Sequence, residues 1–281
     1  MTNLILPCNP LSGQGFDEQF AYEAAAMQRT SVQTGTVDHD ELVNHHTAVV
    51  KLPRWADSIS LYRGWMMNNH QYSVFAQACA DKGAPLLTSV EQYEVAHYLP
   101  GWIETFKDLT FPTVIVEASA SLEEVLDAAL HLEGDIFFIK DFVKSRKEEP
   151  ALSIAPGRVN LYPTIQRFVT AQDDYIAGGV VIREFVPLAD DRVEIRGWWR
   201  DGAWRAITAH PDYAHHDEFP TPPQELLDEV SRRLNDLGLY FVSVDFTLTA
   251  EGNWVVIEIG DGQVSGFPDT ITDDVIKSIL V

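Results

Sequence analysis

Short apolar runs alternate with stretches of helical period through the first half of this chain. Leu4–Leu6 and Ala48–Leu52 are closed by proline, as strands often are. Asn69–Lys82 carries Tyr72, Phe75, Ala76 and Cys79 on one helical face and stops at Gly83. Pro85–Thr88 is a further strand-like run, and Thr113–Glu117 another. Ser89-x-x-Gln92 and Ser121-x-x-Glu124 are capping boxes, the second opening a helix over Leu122–Leu132. This alternation favours an α/β arrangement.

The second half is richer in strands. Ile136–Val143 reads as a buried strand and Leu161–Ala171 as a helix, followed by a break at Gly178-Gly179. Val180–Val186, Val193–Trp199 and Trp204–Ala209 follow as strands, the last two joined by a tight turn at Asp201-Gly202. Pro223–Leu237 is an amphipathic helix stopped by Gly238, and a short helix spans Thr272–Leu280. Between those helices lies a hairpin from Tyr240 to Gly260. A two-residue turn at Glu251-Gly252 would pair positions summing to 503 and set Asp245 across from Glu258. Like charges so opposed repel unless a cation joins them, and Mg²⁺ takes one or two carboxylates plus phosphate oxygens. A solvated pair on an edge hairpin is the competing reading. Boundaries near 105 and 178 divide the chain into segments 1–105, 106–177 and 178–281.

Composition narrows the functional classes. The net charge is −22, so the molecule's field opposes nucleic acid and anionic membrane surfaces, and a phosphate site must gather its own cations. Two cysteines, Cys8 and Cys79, lack metal-ligand spacing and read as buried free thiols of a reducing compartment. No signal-peptide pattern and no run of membrane-spanning length is present, which leads to the expectation of a cytoplasmic protein. Seven tryptophans, Trp198-Trp199 among them, read as packing residues.

Candidate chemistry gathers after residue 135. Lys140, Lys144, Arg146 and Lys147 form a basic cluster at a strand end, beside Glu148-Glu149, which would equally suit a solvated charged loop. Arg183 and Glu184 take opposite faces of one strand, and Glu194 and Arg196 share a face of the next. Charges in apolar strands need partners, either one another or a ligand, and a guanidinium fork matches phosphate oxygens. Pro187 ends the strand and would leave backbone near Phe185 and Val186 open to an adenine edge. Asp261 follows Glu258 at the strand end, within a glycine-spaced loop at Gly260, Gly262 and Gly266. His210, His215, His216 and Asp217 could form a metal loop, but Pro211 and the acidic, proline-rich surroundings favour a flexible loop. Arg54 and Arg63 would anchor a substrate carboxylate or, the favoured reading, form surface ion pairs.

The ordered set IKDFVKSRK, VIREFVPL, EIRGWW, VDF and EIGDG resembles the ATP-grasp superfamily, and within it the clade named for two arginines and one lysine. The resemblance covers most of the chain and is strongest from Phe137 to Phe267. It implies an α+β ATP-grasp fold that holds the nucleotide between two α+β subdomains, preceded by a small α/β pre-ATP-grasp domain. It further implies that Lys140, with Lys144 second, contacts ATP phosphates, and that Arg183 and Arg196 contact phosphates or the acyl-phosphate. Glu184, Phe185 and Val186 would form the adenine hinge, Glu194 would bind ribose or a metal, and Asp245 and Glu258 would hold Mg²⁺. The resemblance also implies an asparagine two positions after the terminal acid; that position is Gly260 here, and Asp261 would replace the lost ligand.

The family chemistry is ATP-dependent joining of a carboxylate, on a small molecule or peptide, to an amine through an acyl-phosphate. It needs positioning and charge neutralisation more than a protein nucleophile. A non-catalytic ATP-binding assembly factor for a protein partner is the alternative, and phosphoryl transfer without an amide step ranks lower.

Overall fold

The structure, a computed structural model, describes residues 2–28, 30–52, 58–146, 148–189, 194–213 and 219–281. Arg54, Lys147, Val193, His215, His216 and Asp217 lie outside the described residues. In chain order the strands are β1 (Thr2–Pro7), β2 (Thr34–Asp38), β3 (Val49–Lys51), β4 (Ile59–Tyr62), β5 (Thr113–Val116) and β6 (Ile136–Asp141). They continue as β7 (Ile154–Pro156), β8 (Val180–Glu184), β9 (Ile195–Arg200), β10 (Ala203–Ala209), β11 (Phe241–Leu248) and β12 (Trp254–Asp261). The chain forms two compact units, one of residues 1–97, 193–245 and 259–281, the other of residues 98–192 and 246–258.

In the first unit, β3-β2-β1-β4 form a sheet in which β1 pairs in parallel with both β2 and β4. Tyr72, Phe75 and Cys79 of the helix Asn69–Asp81 pack beneath it with Ile5, Val37 and Tyr62. That helix begins at a capping box in which Asn68 and Gln71 exchange side-chain hydrogen bonds. Pro85–Thr88 does not form a strand; its pairing is a single bridge from Leu86 to Ser60. A second core gathers Leu4, Leu6, Trp198, Phe241, Phe267 and the apolar side of the helix Asp273–Leu280. Cys8 and Cys79 are buried and unpaired with each other.

The second unit holds the sheet β5-β8-β6-β7, antiparallel throughout. The helices Leu122–Ala129 and Leu161–Gln172 bury Val125, Ala129, Leu161, Ile165 and Phe168 against it. The first of these begins at the Ser121–Glu124 capping box and ends earlier than expected, at Ala129. Gly178 and Gly179 precede β8 for a steric reason. A Cβ on Gly178, which has φ +76°, would strike the Phe142 ring, and one on Gly179 would sit 2.5 Å from the Val116 carbonyl.

The remaining sheet has the order β10-β9-β11-β12. The turn between β9 and β10 is formed as expected by Asp201 and Gly202, both at positive φ. The turn between β11 and β12 differs from the two-residue turn expected at Glu251-Gly252. It is a three-residue loop, Ala250–Gly252, with Thr249 N donating to Asn253 O (2.9 Å) and Gly252 N to Thr249 O (2.9 Å). Gly252 supplies the positive φ, +80°, of a turn with a bulge. Positions there sum to 502, not 503. At the other end Gly262 N donates to Phe241 O (3.0 Å), a sum of 503.

Candidate functional site

Strand register brings three of the second unit's polar side chains to one face. Arg183 of β8 lies opposite Thr113 of β5 and Phe138 of β6, while Lys140 lies opposite Val181. Lys140, Arg183 and Thr113 therefore point the same way, and Glu184 points to the other face. Lys140 is 5% exposed, and its Nζ donates to Glu258 Oε1 at 2.9 Å. The Glu258 side chain is 39% exposed, the open end of an otherwise buried pair.

Arg183 completes this group. Its Nε donates to Thr113 Oγ1 (3.1 Å) and its Nη1 to the Ile257 carbonyl (2.8 Å). Its Nη2 is buried with no hydrogen-bond partner. Burial pulls the guanidinium pKa down to about 10, and the Glu258 charge opposes that shift. It remains a cation at neutral pH. A buried guanidinium with an unsatisfied donor beside an ion pair suits a group that brings its own negative oxygens.

The other basic residues of this region do different work. Arg146 is held by Glu149 (2.7 Å), Gln172 (3.0 Å) and the Ala171 carbonyl (2.6 Å), a structural tie to the end of the helix Leu161–Gln172. Lys144 is exposed, in a turn that Asp141 closes by accepting from Val143 N (2.7 Å) and Lys144 N (2.5 Å). Asp141, which no local motif marks, also accepts from Gln172 Nε2 and Ala177 N.

At the end of β8, Glu184 Oε1 accepts from Glu133 N and from Gly134 N (3.1 Å). Phe185 N donates to the Ile136 carbonyl (2.9 Å), and its ring is 44% exposed; Val186 follows it, past the end of the strand.

In the first unit, Arg196 and Asp245 form a bidentate pair, Nε to Oδ1 at 2.7 Å and Nη2 to Oδ2 at 2.8 Å. Arg196 Nη1 donates to the Gly266 carbonyl (2.9 Å), and His210 Nε2 lies 3.8 Å from Asp245 Oδ2. The Glu194 carbonyl accepts from His210 N. Asp261 is fully buried. Its Oδ1 accepts from Gln263 N (2.9 Å) and Nε2 (3.1 Å), and Gln263 Nε2 also donates to Tyr72 Oη (2.9 Å). Asp261 Oδ2 has no partner, and burial pushes the carboxyl pKa up to about 7. Among the described residues, no three His, Cys, Asp or Glu side chains gather into a metal-binding set.

Arg63 corrects a sequence expectation. It is 1% exposed rather than superficial, and its Nε and Nη2 each donate to Glu23 at 2.9 Å. Its Nη1 donates to the Gly262 and Ser265 carbonyls, and its guanidinium stacks 4.2 Å from the Phe267 ring centroid. The pair joins residues forty positions apart, and no local motif announces it.

The fold is that of ATP-grasp enzymes. D-cycloserine synthetase DcsG superposes with a TM-score of 0.68 at 15% identity, covering 99% of this chain and 97% of that one. The macrocyclase MdnC of Microcystis aeruginosa MRC, bound with precursor peptide MdnA, superposes at 0.64 and 15% identity, covering 100% and 99%. The ATP-grasp ligase PsnB, complexed with minimal precursor, Mg and ADP, superposes at 0.56 and 12% identity, covering 99% and 98%. No curated protein matches in sequence. The model of the ATP-grasp domain, family 3 of the clade named for two arginines and one lysine, matches residues 131–279, and the chain belongs to that family. ATP and Mg²⁺ are cofactors typical of it. No helix among the described residues is long and apolar enough to cross a membrane.

Proposed function

We propose that this protein is an ATP-dependent carboxylate–amine ligase that forms an amide or peptide bond through an acyl-phosphate. The observation that carries the reading is the buried Arg183 Nη2, unsatisfied beside the Lys140–Glu258 pair. A phosphate oxygen would satisfy that donor and draw on Lys140, replacing one carboxylate contact with a stronger multidentate one. In the first step, a substrate carboxylate oxygen attacks the γ-phosphorus and ADP leaves. In the second, an amine nitrogen attacks the acyl carbon, phosphate departs with the bonding pair, and the nitrogen loses a proton.

Lys140 and Arg183 bind and orient phosphate oxygens in this scheme, with Lys144, exposed in its turn, the second candidate. Arg196 would meet phosphate or acyl-phosphate oxygens once its Asp245 contacts loosen. Glu184, Phe185 and Val186 would frame adenine, and Glu194 ribose. Glu258 and Asp245 are oxygen donors of the kind Mg²⁺ selects, with Asp261 a third candidate. Mg²⁺ would neutralise charge on the transferring phosphates. Two free, buried cysteines accord with a cytoplasmic setting. The substrates belong to the small-molecule or peptide carboxylate and amine classes.

The test is calorimetric titration of Mg·ATP into wild type, Lys140→Ala and Glu258→Ala. Binding by the wild type that weakens at least tenfold in both variants supports the site and licenses a screen of amine and carboxylate pools for ADP release. A folded wild type that binds no Mg·ATP sinks the reading. Tight binding with no turnover across the screen turns it toward the assembly-factor alternative.

A further inference from the structure

The first unit contains a cavity of about 470 Å³ that the nucleotide chemistry above does not use. It is walled by Phe20, Tyr22, Trp65 and Phe267, with Asp269 and Asp273 among its lining residues. Its size falls within the range of small-molecule sites. Tyr22 and Trp65 are each about two-fifths exposed, although large aromatics are usually more enclosed. Phe20 and Trp65 meet edge to face, their centroids 5.2 Å apart, which fixes the Trp65 ring as one wall.

The charges along this cavity are one-sided. Among the described residues Arg63 is the single basic one lining it, and every nitrogen of that guanidinium already donates: two to Glu23 and the third to the Gly262 and Ser265 carbonyls. Arg63 is thus neutralised by Glu23, and each of its three nitrogens is already engaged. Asp269 and Asp273 are exposed, leaving the cavity with a net negative charge. Burial and then Glu23 push the Tyr22 phenol pKa up, and Asp269 adds a smaller push in the same direction. Arg63 over Phe267 shows that this aromatic set already receives one cation by its ring face.

We infer that this cavity binds an organic cation, a protonated amine carried on a flat or apolar body, with the amine toward Asp269 and Asp273 and the body on Trp65 and Tyr22. The inference deepens the ligase reading and rests on it for one step only, that this cation is the amine co-substrate. The binding itself needs no nucleotide. An α-carboxylate or a free fatty acid would meet acidic groups and an arginine whose charge Glu23 already offsets, so the cavity selects against acids.

The probes are benzylamine, benzyl alcohol and benzoate, alike in shape and differing in charge. Each is titrated into the full chain while the indole Nε1 resonance of Trp65, assigned by its loss in Trp65→Phe, is followed by NMR. Benzylamine should shift that resonance saturably in the millimolar range, with affinity at least fivefold above benzyl alcohol and no saturable effect of benzoate. Asp269→Asn combined with Asp273→Asn should weaken benzylamine at least fivefold and leave benzyl alcohol unchanged. Equal affinity for the amine and the alcohol, saturable benzoate binding, or an unaltered amine affinity in the double variant each overturns the inference. Mg·ATP titrated into the same wild-type sample separates the two proposals. Amine binding without ATP binding retains the cavity and discards the ligase, whereas ATP binding without amine binding does the reverse.

Discussion

Arg63 and Arg183 are both buried guanidiniums, and they are held in opposite ways. Arg63, in the first unit, meets two carboxylate oxygens, two carbonyls and an aromatic face, so all three of its nitrogens are satisfied. Arg183, in the second unit, has one hydroxyl and one carbonyl, faces the Phe111 ring at 5.8 Å, and keeps Nη2 unsatisfied. Burial alone therefore does not separate structure from function. A buried cation paired with a carboxylate holds the fold together, whereas one with an unsatisfied nitrogen stores a desolvation penalty that an incoming anion relieves.

The contrast breaks if removing Arg63 is harmless. Arg63→Met strands the Glu23 carboxylate, which is 0% exposed, and should destabilise by about 3–5 kcal/mol. In a chain of this size that corresponds to a fall in Tm of roughly 10 °C, read by thermal denaturation. Glu23→Leu in the same chain should restore most of the loss, because an apolar pair replaces a stranded charge. A Tm within about 2 °C of wild type for Arg63→Met alone would mean the ion pair carries no structural load.

Asp261 sharpens the comparison through pH. Its folded pKa, about 7, stands above that of the unfolded chain, so the native state keeps a proton that the unfolded chain releases. The associated stability is complete below about pH 4 and is lost as pH rises toward 7, at up to ~1.4 kcal/mol per pH unit. The stability of wild type minus that of Asp261→Asn should therefore fall by about 3 kcal/mol between pH 4 and 7 and be flat above pH 8, measured by denaturant titration. A difference independent of pH would show that Asp261 is ionised throughout. The Arg63 charge opposes the upward shift, so Arg63→Met should move the fall to higher pH.

Arg183→Met tests the other side. Removing a desolvated cation should change unfolding free energy by less than about 1 kcal/mol, yet weaken Mg·ATP binding by about 1.5–3 kcal/mol, tenfold or more by calorimetry. A large stability loss with intact nucleotide affinity would make Arg183 a second Arg63.

How far the sequence reveals these features depends on range. The capping boxes at Ser89 and Ser121, the stop at Gly83 and the Asp201-Gly202 turn are local, encoded within four or five residues, and the structure forms each of them. The face shared by Lys140 and Arg183 follows from strand alternation, but their proximity depends on β6 pairing with β8, forty residues on. The Glu23–Arg63 pair is equally distant and has no periodic signal, and the helix Ala21–Met27 that carries Glu23 lacks a side-chain cap to announce it. Glu251-Gly252 misleads for a different reason. The same dipeptide serves a two-residue turn or the end of a three-residue bulged loop, and the choice is made by Thr249 and Asn253 outside it.

Local encoding has a measurable consequence in the second unit. Ser121 Oγ accepts from Glu124 N, and Glu124 Oε2 accepts from Ser121 N at 2.7 Å, so two otherwise unpaired donors of the helix Leu122–Ala129 are satisfied within four residues. Ser121→Ala removes one acceptor and should lower stability by ~1 kcal/mol, a Tm decrease of about 2–4 °C. Because the box touches neither Lys140 nor Arg183, Mg·ATP affinity should stay within twofold of wild type. A loss of affinity exceeding the loss of stability would couple this helix to the cation face, and the division between residues that hold the second unit together and those that leave it charged and unsatisfied would have to be redrawn.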